Sequence, residues 1–299
     1  MTRRVLVANA TGRLGKAVAE HLSSDECETF DVRVLTDTST PDVTEFRTEQ
    51  GPILVEVDAS DADALATAVE DADALFLSDD ADDADAERER IVAMGEALVE
   101  AAERANLPQF VYASAGGVES ETDVPELDAI HAVERRVRDA DVPWTVLRPA
   151  LLMQQFESCR GGIESGTLTL PLEEGSHLHL VDAADVAAVV ARVLDSPDTF
   201  LGETLELAAD AYTLDELASM FADVLGHEVT GIRAPMDAVR EELTEERVTL
   251  FEFVNDGGYD VDVEAIRERY EFEFTSFEEY LDANWSAAAP EPSTKSTAD

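Results

Sequence analysis

Short apolar runs alternate with amphipathic segments through the first half of this chain, and that alternation dictates what it can fold into. Val5-Leu6-Val7-Ala8, Val32-Arg33-Val34-Leu35, Ile53–Val57, Ala74–Leu77, Phe110–Ala113 and Trp144–Leu147 read as strands. Between them lie segments with helical spacing of apolar residues. These are Lys16–Leu22, Asp61–Glu70, a helix carrying Ile91, Met94, Leu98, Ala101, Ala102 and Ala105, and Pro125–Ala140. Strands that alternate with helices imply an α/β fold: a doubly wound parallel sheet covered on both faces through right-handed crossovers. Ligands of such sheets bind at the carboxyl ends of the strands, near the switch in strand order.

The first strand breaks into the first helix through Asn9-Ala10-Thr11-Gly12-Arg13-Leu14-Gly15. A small-residue turn running straight into a helix aims the first amides and the positive end of the helix dipole at the turn, where they attract a phosphate. Gly12 lets the backbone approach a pyrophosphate, and Gly15 lets helix and strand pack closely. Asn9 stands where the dinucleotide fingerprint has its first glycine, and asparagine is the residue after glycine that best tolerates positive φ. An N-terminal dinucleotide site formed by Asn9, Thr11, Gly12, Arg13, Leu14 and Gly15 is the expectation; the alternative is an ordinary βα loop that binds nothing.

The second strand ends at Thr36-Asp37, about twenty residues beyond Gly15, where a carboxylate bonds the adenosine ribose. Asp37 favours NAD over NADP by repulsion, while Arg13 is able to meet a 2′-phosphate, so NADP stays open. Asp58 and Ala59, in the Val57–Ser60 segment after the third strand, can meet adenine, or this segment simply caps the helix that starts near Asp61. Ser78 and Ser114 end the fourth and fifth strands on the nicotinamide side, or are plain strand-end turn residues.

With 299 residues and 45% hydrophobic content, the chain has ample material for a core. Its net charge of −46, with Lys16 and Lys295 as the only lysines, excludes nucleic acid and anionic membrane as partners. The acidity reads as salt adaptation: at about 1 M salt the Debye length is ~3 Å, and a dianionic cofactor can still approach. Cys27 and Cys159 make neither a disulfide framework nor a metal site. The N-terminus shows no signal-peptide core and no apolar run reaches transmembrane length, so a soluble cytoplasmic protein is expected.

Beyond residue 150 the rhythm changes, giving a division into a nucleotide domain (1–150), a smaller substrate lobe (151–285) that is able to lend a strand to the sheet, and a disordered Ala/Pro/Ser/Thr-rich tail (286–299). Leu151–Arg160 looks helical and is broken by Gly161-Gly162. Asp182–Leu194 reads as a helix, Thr204–Leu207 as a strand, and Thr213–Leu225 as a helix stopped by Gly226. Further helices are expected over about 237–254 and 261–270.

Acid–base candidates are few. No Tyr-x-x-x-Lys pair exists, so carbonyl reduction with a tyrosine of lowered pKa is unavailable. His131, on the helix after the fifth strand, is the nearby titratable replacement, or an ordinary half-exposed helix histidine. His177 and His179 alternate along a strand without a third ligand, and Asp79–Asp85 lacks the glycine and closing glutamate of a calcium loop, so no metal is expected.

Taken together these segments resemble the NmrA-like group of atypical short-chain dehydrogenases. The resemblance rests on Val5–Gly15, Val57-Asp58, Phe110–Ala115, Val142–Pro149 with its Leu-Arg-Pro, Leu180–Ala187, and Tyr212–Ala218 ending in Leu225-Gly226. It implies a Rossmann-type domain binding NAD or NADP, with a C-terminal lobe closing a cleft. Asn9 replaces the usual glycine, Asp37 stands where many members carry a phosphate-binding arginine, Ala115 occupies the place of the short-chain serine, and Ile130-His131 stands where many carry a lysine. Two functions follow from the resemblance. One is an NAD(P)H-dependent oxidoreductase acting on a quinone or conjugated carbonyl. The other is a non-catalytic dinucleotide-sensing regulator acting through a protein partner.

Overall fold

Parallel neighbours cannot be joined by a tight turn; the chain must cross over, and a helix is the usual packed way to do so. The computed structural model, which describes residues 2–37, 51–57, 61–78, 84–118, 125–240, 245–258 and 263–286, obeys that rule. From the N-terminus run β1 (Arg3–Ala8), α1 (Arg13–Leu22), β2 (Phe30–Asp37), β3 (Ile53–Val57), α2 (Ala62–Glu70), β4 (Ala74–Ser78), α3 (Ala84–Ala105), β5 (Phe110–Ala113), α4 (Pro125–Arg138) and β6 (Trp144–Pro149). Then come β7 (Leu151–Leu152), a 3-10 helix (Met153–Cys159), α5 (Arg160–Glu164), β8 (Thr167–Leu170), β9 (Leu178–Val181), α6 (Ala183–Asp195), α7 (Pro197–Phe200) and β10 (Thr204–Leu207). The chain closes with β11 (Asp210–Tyr212), α8 (Leu214–Leu225), β12 (Thr230–Arg233), α9 (Met236–Val239), α10 (Glu245–Asn255), α11 (Val263–Tyr270) and α12 (Phe277–Asn284).

The central sheet has seven strands in the order β10-β6-β5-β4-β1-β2-β3, every neighbouring pair parallel. Strand order reverses between β1 and β4, and sheets of this kind bind ligands at the carboxyl ends of the strands at such a point. Alternation along β1 divides the core: Val5 and Val7 join the apolar layer under α1 and α6, while Leu6 and Ala8 join the layer under α2, α3 and α4. Gly95 lets α3 close on α4, since a Cβ there would lie 2.6 Å from Val133 Cγ1. The outer edge of β10 is covered: Arg267 of α11 donates to the Ala209 carbonyl at 2.8 Å, and Tyr270 donates to Glu203 at 3.1 Å. Covering the edge removes a template for pairing with another chain.

A third apolar cluster joins Met153, Phe156, Leu214, Leu217, Phe221, Tyr280 and Trp285 around Phe277, whose ring centroid lies 5.3 Å from that of Phe156 and 5.6 Å from that of Phe221. Among the described residues no helix is long and apolar enough to cross a membrane.

Several boundaries differ from the sequence reading. Helix α1 opens at Arg13, a turn earlier than expected, because Gly12 already caps it. The helix expected over Leu151–Arg160 is instead β7, paired with β9, followed by the 3-10 helix. Burial of Leu152, Met153 and Phe156 outweighs helical spacing there. Gly161 and Gly162 lie inside α5 rather than ending a helix. The helix expected over 237–254 is divided into α9 and α10, with 241–244 outside the described residues. By contrast α8 begins at a Thr213–Glu216 capping box and ends at Gly226 in the left-handed region, as its sequence requires.

A Cβ on Gly161 would meet nothing within 4 Å. Gly161→Ala is therefore expected to stabilise the protein by roughly 0.5–1 kcal/mol, by reducing the freedom of the unfolded chain. Urea denaturation in high salt measures it, and a lower midpoint would contradict this account of α5.

Candidate functional site

The turn after β1 is built by two residues. Asn9 takes φ +56, and the Gly12 amide donates back to the Asn9 carbonyl at 3.1 Å. Asn9 also does what a glycine cannot: its Nδ2 donates to the Ser78 carbonyl at 2.9 Å, tying the end of β1 to the end of β4 across the crevice. Gly15 packs against this turn so closely that a Cβ would lie 2.2 Å from the Asn9 oxygen. The glycine is thus a condition for α1 starting where it does.

The start of α1 differs from the starts of α2, α6, α8 and α12, though the short α5 also lacks an acidic cap. Asp61 caps α2, Asp182 caps α6, and the capping boxes of α8 and α12 each use a glutamate; acidic residues occupy the first turn of all four. Helix α1 has Gly12 at its cap, no side-chain cap bond and no acidic residue in its first turn. Arg13 and Lys16 stand there instead. In a chain of 67 Asp and Glu against 21 Lys and Arg, this is a local reversal of charge at the positive end of a helix dipole, the chemistry of an anion site.

Two buried hydroxyls at the same edge have no hydrogen-bond partner among the described residues: Thr36 Oγ1 near the end of β2 and Ser78 Oγ at the end of β4. By strand alternation both lie on the α1 face of the sheet, on either side of β1. An unsatisfied buried hydroxyl costs about 1–3 kcal/mol, so such groups at a crevice fit a ligand that supplies partners. Asp37 ends β2 in register with Val57 of β3. Asp58 and Ala59 lie outside the described residues, as does the acidic run 79–83.

The fifth strand leads to a different arrangement. Ser114 donates its hydroxyl hydrogen to Glu134 Oε2 at 2.7 Å, and Glu134 is completely enclosed on α4. Arg148 of β6 grips the same carboxylate with two bonds, Nη2 to Oε1 at 2.6 Å and Nε to Oε2 at 3.1 Å, and reaches Glu206 of β10 at 3.0 Å. Arg138 approaches Oε1 at 3.3 Å. Burial alone pushes the Glu134 carboxyl up, but hydrogen bonds from Arg148 and Ser114, with the arginine charge, more than offset it and hold the group below its usual 4.5. The sequence held a signal for this network: Glu134 interrupts the apolar stripe Ile130, Val133, Val137 of α4, and Arg148 interrupts an apolar strand. The Leu-Arg-Pro motif thus has a structural explanation.

His131 lies half-buried on α4, one turn before Glu134; among the described residues its ring meets no hydrogen-bonding partner. Of the tyrosines, Tyr212 is pushed up to about 12 by burial and the Asp210 carboxylate, and Tyr280 up to about 12 by burial and the charges of Glu157 and Asp182. Both are weaker acids than a free tyrosine. His177 is exposed, His179 is half-buried on β9, and among the described residues no three His, Cys, Asp or Glu side chains are arranged to hold a metal. The Val-Asp-x-x-Asp motif is architectural: Asp182 caps α6 and accepts from Gln154 at 2.7 Å, while Asp185 accepts from the Thr275 backbone at 2.6 Å.

Replacing Asn9 by glycine keeps the turn and loses only the Ser78 bond, an expected cost of about 1 kcal/mol. Asn9→Ala loses the bond and puts an ordinary side chain at positive φ, an expected cost of roughly 2–3 kcal/mol. Denaturant midpoints of the two variants check the order. For Glu134 the lowered carboxyl means its pairing stabilises the fold above pH 4.5 and is lost as pH falls through the lowered value. The stability gap between the native chain and Glu134→Gln is therefore expected to stay flat near neutrality and to close in acid; a gap that widens on acidification would refute the assignment.

Comparison with known proteins agrees with this geometry. The model of the NmrA-like family matches residues 1–281. A (4-alkanoyl-5-oxo-2,5-dihydrofuran-3-yl)methyl phosphate reductase from Streptomyces griseus is 30% identical over 246 residues, 80% of each chain. Five other curated relatives are matched over 33–58% of their own length. Among solved structures, an NADPH-dependent quinone oxidoreductase from Escherichia coli, complexed with NADPH, superposes with a TM-score of 0.76 at 21% identity, over 93% of this chain and 99% of that one. NmrA, a negative transcriptional regulator in complex with NADP, superposes at 0.70 with 17% identity, over 94% of both chains. With its Rossmann-type sheet and its glycine-packed first turn, the chain belongs to the NmrA-like family.

Proposed function

We propose that this protein is an NAD(P)H-dependent reductase whose acceptor is a quinone or conjugated carbonyl. The observation that carries the reading is the start of α1: an acid-free, basic first turn, packed by Gly15 against the Asn9 turn at the switch in strand order. Residues 9–15 grip the diphosphate through main-chain amides and the helix dipole. Thr36 and Asp37 meet the adenosine ribose, Asp58 and Ala59 the adenine, and Ser78 and Ser114 border the nicotinamide end. Asp37 disfavours a 2′-phosphate and tips the preference toward NAD, against Arg13, which accommodates NADP. The part around the aromatic cluster of Phe277 serves as the substrate lobe, while 1–150 with β10 and α6 holds the dinucleotide.

When bound, a reduced nicotinamide supplies the hydride; the protein supplies orientation and a surface from which water is excluded. Ser114 gives its hydrogen to Glu134 and so acts toward the cleft as an acceptor, leaving proton delivery to His131 or to water. A quinone or enone tolerates this, since its reduced form is a stabilised anion that takes up its proton afterwards. The Streptomyces relative reduces a 5-oxo-2,5-dihydrofuran and the Escherichia coli structure is a quinone oxidoreductase, which supports this acceptor class.

A second reading is favoured by the commitment of the Ser114 hydroxyl and by the weakly acidic tyrosines: a dinucleotide-sensing regulator that acts through a protein partner. It needs different affinities for oxidised and reduced cofactor, since equal binding shifts nothing. Calorimetry and turnover in molar KCl separate the two. The reductase reading expects NADH or NADPH to be consumed in step with a quinone, and Gly15→Ala to abolish consumption; no acceptor-dependent oxidation would overturn it. Asp37→Asn is expected to tighten NADPH binding by about tenfold while leaving NADH within about threefold.

A further inference from the structure

Two charges enclosed in the core, Glu134 and Arg148, take no part in gripping a dinucleotide or moving a proton. A buried ion pair is often replaced by apolar side chains of similar bulk at no loss of stability, or with a gain, so stability alone gives no reason for this one. Its placement is specific. Through bonds of 2.6–3.1 Å it joins α4, β6, β10 and the residue that follows β5, all at the carboxyl edge of the sheet. The helix it anchors carries His131 one turn before Glu134. A second latch lies beside His131, where the buried Tyr112 hydroxyl donates to the Ile130 carbonyl at 3.1 Å. Ser114 is fixed from both sides, its amide bonded to the Leu147 carbonyl at 2.8 Å and its hydroxyl to Glu134.

We propose that Glu134 is a positioning residue for the nicotinamide end of the dinucleotide site, holding Ser114 and the His131-bearing turn of α4 in one geometry against β5 and β6. The inference rests on the dinucleotide reading above and adds to it a cause for the shape of the rim. A carboxylate only accepts, so it turns the Ser114 hydrogen inward and leaves the serine oxygen as an acceptor. The complementary group is an amide N–H, such as the nicotinamide carboxamide carries. A glutamine at 134 destroys this polarity: its own amide donates, and the serine hydroxyl is released to point either way.

The test uses the full chain in molar KCl with NADH and NADPH as probes. Calorimetry reads the grip of residues 9–15, emission of the bound reduced nicotinamide reads the surroundings of the ring, and circular dichroism reads the fold. Glu134→Gln is expected to keep dinucleotide affinity within about threefold, because the grip lies at the other end of the site, while the emission change on binding falls by roughly half or more. The paired variant Glu134→Leu with Arg148→Met, which fills the space with apolar side chains, is expected to stay folded and show the same loss. Ser114→Ala removes one hydroxyl and provides the measurement if the core variants do not fold; it too should bind with lowered emission. Folded variants, or Ser114→Ala, with native emission on binding overturn the positioning role while leaving the dinucleotide site standing. A native chain that binds neither probe overturns the site itself, and the positioning role with it.

Discussion

Everything at the ligand edge depends on one close approach, the α-carbon of Gly15 against the carbonyl of Asn9. Only 2.2 Å separates that oxygen from the place a Cβ would take, so α1 can begin directly beyond β1 only with glycine there. The asparagine turn then does two things at once. It accepts a left-handed backbone at a cost of about 1–2 kcal/mol, and its side-chain bond to Ser78 returns about 1 kcal/mol. Since Ser78 ends the strand on the opposite side of the switch point, the turn also ties the ends of β1 and β4 together. A glycine would make the turn without the tie to β4.

Electrostatics gives the same edge its second property. Acidic caps and first-turn carboxylates neutralise the positive ends of α2, α6, α8 and α12, each such charge worth roughly 0.3–1 kcal/mol. Helix α1 lacks them. In dilute buffer the field of a chain at −46 reaches about 10 Å at 0.1 M salt and repels any anion before the local dipole is felt. At about 1 M salt the range shrinks to ~3 Å, and the contact chemistry of the site proposed at residues 9–15 would decide binding. The acidic surface and an anion site are compatible in salt because the two act over different distances.

How much of this was legible in the chain depended on whether a feature is local. The strands of the central sheet, the helix starts near Asp61 and Asp182 and the cap at Thr213 were readable because alternation, helical spacing and capping are written within a few residues, although Asp61 and Asp182 prove to be caps themselves. Asn9 and Gly15 were readable for the same reason. The 3-10 helix over Met153–Cys159 was not, because Met153 and Phe156 are placed by packing against Phe221 and Phe277, far away in sequence. Ser114 was read as facing the cleft, while its hydroxyl hydrogen goes to Glu134, twenty residues on. A charge on an apolar stripe announces that a partner exists; only the fold says that the partner is Arg148. Thr36 and Ser78 carry a signal of the third kind, two hydroxyls whose lack of a partner among the described residues becomes visible only once burial is known.

On the proposed function, the lack of a strong proton donor among the described residues would narrow the chemistry that hydride transfer could perform. Reducing an isolated ketone builds an alkoxide, which needs an acid in the transition state, and a tyrosine held near 12 is a poor one. Ser114 has already given its hydrogen to a carboxylate that stays ionised because Arg148 holds it so. Acceptors whose added electron pair spreads into a ring or along a conjugated carbonyl escape this requirement, since the anion persists until it is protonated, in the proposed mechanism by water or His131. In the proposed reductase, the arrangement that removes the serine as an acid would therefore favour acceptors that need none. It leaves the rate to orientation, where holding donor and acceptor in line supplies up to about 7–11 kcal/mol of the barrier.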